Sequence, residues 1–200
     1  MSGDETWPRR RLGPMRDLHV SDLLERMARG LDSGADVTAE PLARTQDGAM
    51  ARTRRLHLPF RRDLAITSQA RVLHPRIDTP LDPTAAPGIT ALCTGAFSLN
   101  VTPFQWQAAE LRLMGGDMDA FVWAPLRLWF LEWTQPRRGD ESPDLLGVVH
   151  SLSDPETIPG GVRLRIDFGS SPVDCVGELL DALSRTGADS GALGLAPEAA

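Results

Sequence analysis

Gly161-Val162-Arg163-Leu164-Arg165-Ile166-Asp167-Phe168-Gly169-Ser170-Ser171-Pro172, with the pattern running on to Arg185, is the stretch that decides the class of fold. Val162, Leu164, Ile166 and Phe168 alternate with Arg163, Arg165 and Asp167, the period-2 pattern of a strand with one buried face. Ser171 then precedes Pro172, and Asp174 follows three residues later, which signals a helix start with proline at its first position. Val173, Val176, Leu179, Leu180 and Leu183 share a helical face, and Gly187 supplies the stop. A sheet strand followed by an amphipathic helix packed on that sheet is predicted. No catalytic motif accompanies it.

Working outward, the expectation is an α+β domain built on a mainly antiparallel sheet of about six or seven strands. An N-terminal and a C-terminal amphipathic helix cover it. Ser21 is read as the N-cap of the first helix, whose face is Val20, Leu23, Leu24, Met27, Ala28 and Leu31. Segments 49–58 and 64–73 read as a hairpin, and a proline-rich connector follows through Pro75, Pro80, Pro83 and Pro87. Segments 89–101, 104–113, 120–133 and 145–152 read as further strands, with Gly115-Gly116-Asp117 as a turn and Pro125 bending the third. The domain is expected over residues 18–187, flanked by a flexible arm, 1–17, and a flexible tail, 188–200.

Composition narrows the function classes. Two hundred residues at 42% hydrophobic content support a real core in one domain. All 21 basic residues are arginine, which together with the absence of tyrosine reads as codon bias. The formal net charge is −6, yet seven arginines lie between Met50 and Arg76 against the single acid Asp63. An acidic chain with one basic stretch argues against nucleic-acid binding and leaves an oriented docking surface. Residues 1–8 lack the apolar core of a signal peptide and no apolar run is long enough for a membrane span, so a soluble cytoplasmic protein is expected.

The chemistry-bearing residues each have a plain structural account. Cys93 and Cys175 stand at no metal-ligand spacing and read as buried hydrophobes. His19, His57, His74 and His150 have no zinc-type spacing, and Asp117 with Asp119 reads as turn chemistry, so neither metal nor cofactor is expected. Ser170 and Ser171 stand before a helix, where unpaired N–H groups favour an anion, although Ser171 can simply cap its own helix.

Trp106, Trp123, Trp129 and Trp133 cluster on neighbouring expected strands, and the segment 120–133 is apolar on both faces. One face is then an exposed contact surface or the sheet is covered on both sides. The expected function is a non-enzymatic protein-interaction module, such as an accessory subunit, adaptor or inhibitor-type protein. It would bind a protein partner or a second copy through Trp123, Trp129 and Trp133, with Arg52 and Arg54 as docking charges. The alternative is a small-molecule-binding protein or enzyme, with a site against the Trp-lined sheet that uses His150 or the Ser170-Ser171 turn. A pocket with converging polar groups would favour the second; a flat exposed patch would favour the first.

Overall fold

The computed structural model describes residues 7–69, 71–81, 90–136 and 144–195. Its first element, α1 (Trp7–Asp32), joins two hydrophobic clusters. Leu12, Met15, Val20, Leu23 and Met27 recur at helical spacing and are all buried. Leu12 and Met15 enter the main core, whereas Val20, Leu23 and Met27 pack with Leu64, Ile77 and Leu145. Residues 7–17, expected as a free arm, are therefore the opening turns of this helix. Pro14 is tolerated inside it on the solvent side, where the carbonyl it leaves unbonded can meet water. Residues 1–6 of the expected arm lie outside the described residues.

Three short strands, β1 (Asp36–Ala39), β2 (Leu64–Ser68) and β3 (Arg71–Leu73), form an antiparallel sheet in that order against α1. The expected hairpin between 49–58 and 64–73 does not form. Residues 64–73 fold back on themselves as β2 and β3, and the chain before them makes only isolated bridges. The physical reason lies at Asp154, whose carboxylate accepts the amides of Arg54, Arg55 and Leu56 at 2.7–2.9 Å and withdraws them from any ladder.

The remaining strands are β4 (Thr90–Thr94), β5 (Phe97–Val101), β6 (Ala109–Met114), β7 (Ser151–Leu152), β8 (Glu156–Ile158), β9 (Gly161–Asp167) and β10 (Ser190–Leu195). They form a second sheet in the order β4-β5-β10-β6-β9-β7, with β8 also paired to β9. Every pair is antiparallel except β10 with β5. The protein is α+β as expected, but with two sheets, the larger of them mixed. The alternation read in β9 holds, since Val162, Leu164 and Ile166 are buried and Arg165 is exposed.

Two further expectations are corrected. Residues 190–195 of the expected tail are not frayed but fill the slot between β5 and β6, with Leu193 fully buried. A Cβ at Gly191 would come within 2.9 Å of Leu99, so glycine there serves close packing rather than looseness. Residues 196–200 lie outside the described residues. Segment 120–133 is not a strand: it contains α2 (Ala124–Trp133), with Leu126, Trp129, Phe130 and Trp133 on one buried face. Pro125 stands in its first turn, where a missing N–H costs nothing.

The last helix, α3 (Asp174–Leu183), buries Cys175, Val176, Leu179, Ala182 and Leu183, and packs against α2. Its cap differs from the expected one. Val173 occupies the N-cap, and the Ser171 hydroxyl donates to the Phe168 carbonyl instead. Among the described residues no helix is long and apolar enough to cross a membrane.

Candidate functional site

The two sheets meet at a buried cluster of charge. The β1–β2 ladder ends at Ala39 opposite Leu64, so Glu40 and Asp63 flank its open end, joined by the Glu40 N–H donating to the Asp63 carbonyl at 2.9 Å. Glu40 adopts φ 49°, a left-handed conformation uncommon outside glycine, asparagine and aspartate. From the other sheet, His150 leads into β7 and donates its N–H to the carbonyl of Asp167, the last residue of β9. Arg61 in turn donates its backbone N–H to the His150 carbonyl at 2.8 Å. Four side chains from four segments thereby converge.

His150 is fully buried, with Nε2 2.7 Å from Glu40 Oε1 and Nδ1 3.1 Å from Asp63 Oδ1. Asp167 Oδ1 stands 3.7 Å from the same Nδ1, beyond a good hydrogen bond. Burial works against charge on the imidazole, but Asp167, Asp63 and Glu40 outweigh it and raise the His150 pKa well above its ordinary value. Both ring nitrogens are then donors. Glu40 also accepts the Ser170 amide at 3.1 Å and the Leu146 amide at 2.5 Å, and Asp63 accepts the Ile77 amide at 2.6 Å. Desolvation opposes ionisation of both acids, yet these donors and His150 hold each carboxyl below its ordinary value. Arg61, half-buried, adds clamps to the carbonyls of Glu40 and Thr134.

Gly169 makes room for the ring. Its φ is +54°, and a Cβ there would lie 2.3 Å from His150 Cδ2.

The cluster is not sealed. Asp63 and Asp167 line a cleft of about 440 Å³ whose other walls include Arg61, Arg62, Arg76, Arg165, His74 and Gln107. Arg165 and Asp167 are two residues apart in β9 and so share the face opposite its buried residues. Arg62 lies over the Phe60 ring at 5.4 Å, and Arg76 pairs with Asp78 at the surface. Arg62, Arg76 and Arg165 are exposed. Four guanidinium groups around two aspartates can grip an anionic ligand and orient its polar groups.

The sequence-predicted site residues are dispersed. Trp129 and Trp133 are 4% and 1% exposed, and their indole N–H groups donate to the Cys175 carbonyl and the Glu178 carboxylate. They pack in the core on the buried face of α2, and Trp129 also lines a groove between α2 and α3. Trp123 is half-buried against that core and donates to the Met118 carbonyl. Arg52 and Arg54 are exposed on the loop anchored by Asp154, and neither lines the cleft.

Ser170 and Ser171 are buried and committed internally. The Ser170 amide meets an anion, but it is the protein's own Glu40, while its hydroxyl accepts the amides of Gly147 and Val148. The Cys175 thiol, in contact with the Ser171 hydroxyl, is pushed up to about 12 by burial and is no nucleophile.

Sequence reasoning singled out His150 and the Ser170 turn but missed Glu40, Asp63 and Asp167 as their partners. The one legible signal was Asp63, the lone acid in the arginine stretch. No protein-family model, curated protein or solved structure matches this chain.

Proposed function

We propose that the chain is a ligand-binding protein whose site is the arginine-rimmed cleft, and that its ligand is a small polyanion bearing carboxylate or phosphate groups. The single observation behind this reading is the convergence of Arg61, Arg62, Arg76 and Arg165 on one cleft with the buried Asp63 and the half-buried Asp167 in its wall. Guanidinium forks match planar or tetrahedral oxyanions with paired hydrogen bonds. Asp63 and Asp167 would accept from hydroxyl or amine groups on the same ligand, which favours a polyfunctional molecule over a simple ion. The test is calorimetric titration of the full chain with pyrophosphate and with citrate at low salt. Saturable binding is expected, weakened at least tenfold in Arg62→Ser/Arg165→Ser and by added salt. Binding unaffected by the double substitution, or none with either probe, would refute the reading.

A second reading keeps the interaction-module expectation on a different surface. Leu128 and Val122 are 67% and 55% exposed beside a groove between α2 and α3 bordered by Glu132, Glu178 and Asp181 against the single base Arg185. An apolar floor with an acidic border suits a basic amphipathic helix. Binding of an amphipathic Leu/Arg helical peptide should be lost in Leu128→Ser without change in melting temperature. Equal binding by that variant would remove this surface from consideration.

A further inference from the structure

We propose that Asp63, His150 and Asp167 form a binding site for a divalent transition-metal cation of the Zn²⁺ class. His150 Nδ1 and one oxygen from each aspartate would be the ligands, and the remaining coordination positions would face the cleft. One ligand atom from each of these residues lies within 4.8 Å of the others. Ligand atoms held about 2.0–2.2 Å from one ion stand roughly 2.8–3.6 Å apart at octahedral or tetrahedral angles. The observed separations from Nδ1 are 3.1 Å to Asp63 and 3.7 Å to Asp167, and the two carboxylate oxygens lie within 4.8 Å of each other, so the carboxylates draw in to close the site. A hydrogen bond from Nδ1 accounts for Asp63 alone. The same Asp167 oxygen accepts the Gly169 amide at 2.9 Å, a contact that holds this carboxylate beside Nδ1.

The surroundings supply what a metal-binding histidine needs. Nε2 donates to Glu40, and Glu40 is itself fixed by the amides of Ser170 and Leu146. That is the arrangement by which a carboxylate orients a ligating imidazole and makes it a better donor. Charge agrees as well. The ion takes the place of the Nδ1 proton, which leaves to solvent; with His150 then neutral, three carboxylates against the Arg61 guanidinium leave two negative charges, which a divalent cation cancels. The nitrogen ligand favours zinc, cobalt or nickel over magnesium or calcium. Asp63 and Asp167 line the cleft, which gives the ion a route from solvent.

Independent support comes from two orphaned polar groups bordering this region. Gln107 lines the same cleft, 3% exposed, and its Oε1 has no hydrogen-bond partner among the described residues. His19 is fully buried with Nε2 equally unpartnered, and it stands near enough to Asp167 and Asp63 for their charges to act on it. Buried polar atoms of this kind are rarely left unpaired, and water in this region, free or carried by a bound ion, would supply the partners they lack.

The experiment is a titration of the full chain with Co²⁺, followed by its visible absorption and then by competition with Zn²⁺, in chloride buffer without added anion. One ion per chain should bind, with the band displaced by Zn²⁺. Asp167→Asn should weaken binding at least tenfold, since it keeps a side-chain oxygen for the Gly169 amide while losing the charge. His74→Gln, which removes the exposed imidazole of the cleft, should leave binding unchanged. Absence of a saturable signal, or equal affinity in Asp167→Asn, would overturn the proposal. Arg62→Ser/Arg165→Ser separates it from the polyanion reading, because that variant should still bind Co²⁺. A positive metal titration with no anion binding would leave this site standing and refute only the other.

Discussion

At the scale of single residues, Glu40 carries more of the structure than any feature of its surroundings in sequence would suggest. Its carboxylate accepts from His150, Ser170 and Leu146 while fully buried, and its backbone bonds Asp63 and Arg61. A buried charge network of this kind contributes little against a well-packed apolar substitute, but losing one partner strands the others. Glu40→Gln should therefore cost about 3–5 kcal/mol, because the new amide presents a donor to a donor and leaves the His150 charge short of a counter-ion. Denaturant unfolding of the variant measures it directly, and a loss within the ordinary range of surface changes would contradict the network as described. In α3 Leu179 and Leu183 are fully buried, whereas Leu180 is half-buried. Leu179→Ala should cost about 2–5 kcal/mol by cavity formation. Leu180→Ala should cost clearly less, and the reverse order in chemical denaturation would invert the helix.

At the scale of elements, β9 and α3 were legible because each obeys one period and is bounded by its own signals. Segment 120–133 reads as a two-faced strand because its apolar residues fall on both strand faces. Leu126, Trp129, Phe130 and Trp133 are in fact spaced three, one and three apart, one stripe of a helix. A helical stripe through Leu12, Met15, His19 and Leu23 is masked by Gly13 and Pro14, which read as breakers. For β10, glycines at 191 and 194 suggested fraying. The slot they fill is made by β5 and β6, about ninety residues away, and no local pattern reports that.

The site was illegible for the same reason. Glu40, Asp63, His150 and Asp167 are brought together only by the meeting of two sheets. Removal of residues 188–200 should therefore abolish cooperative folding rather than leave the melting temperature unchanged, since β10 is hydrogen-bonded on both sides. A thermal melt of the truncated chain that overlays the full-length curve would refute the central position of β10.

At the scale of the whole molecule, α1 and the charged cluster do the joining. The helix carries one set of side chains into each hydrophobic cluster, and Glu40, Asp63 and Arg61 bind the small sheet to the segment preceding β7. The cleft proposed to take a polyanion lies along that seam, so binding there should stabilise the contact between the two sheets as well as fill the site. The most direct measurement is a backbone amide NMR titration of the isotopically labelled chain with pyrophosphate at low salt. Saturable shifts are expected at residues 60–63, 74–76, 151–153 and 165–167, with little change at 52–54 or along α2. Shifts concentrated on those latter segments, or none that saturate, would contradict the account.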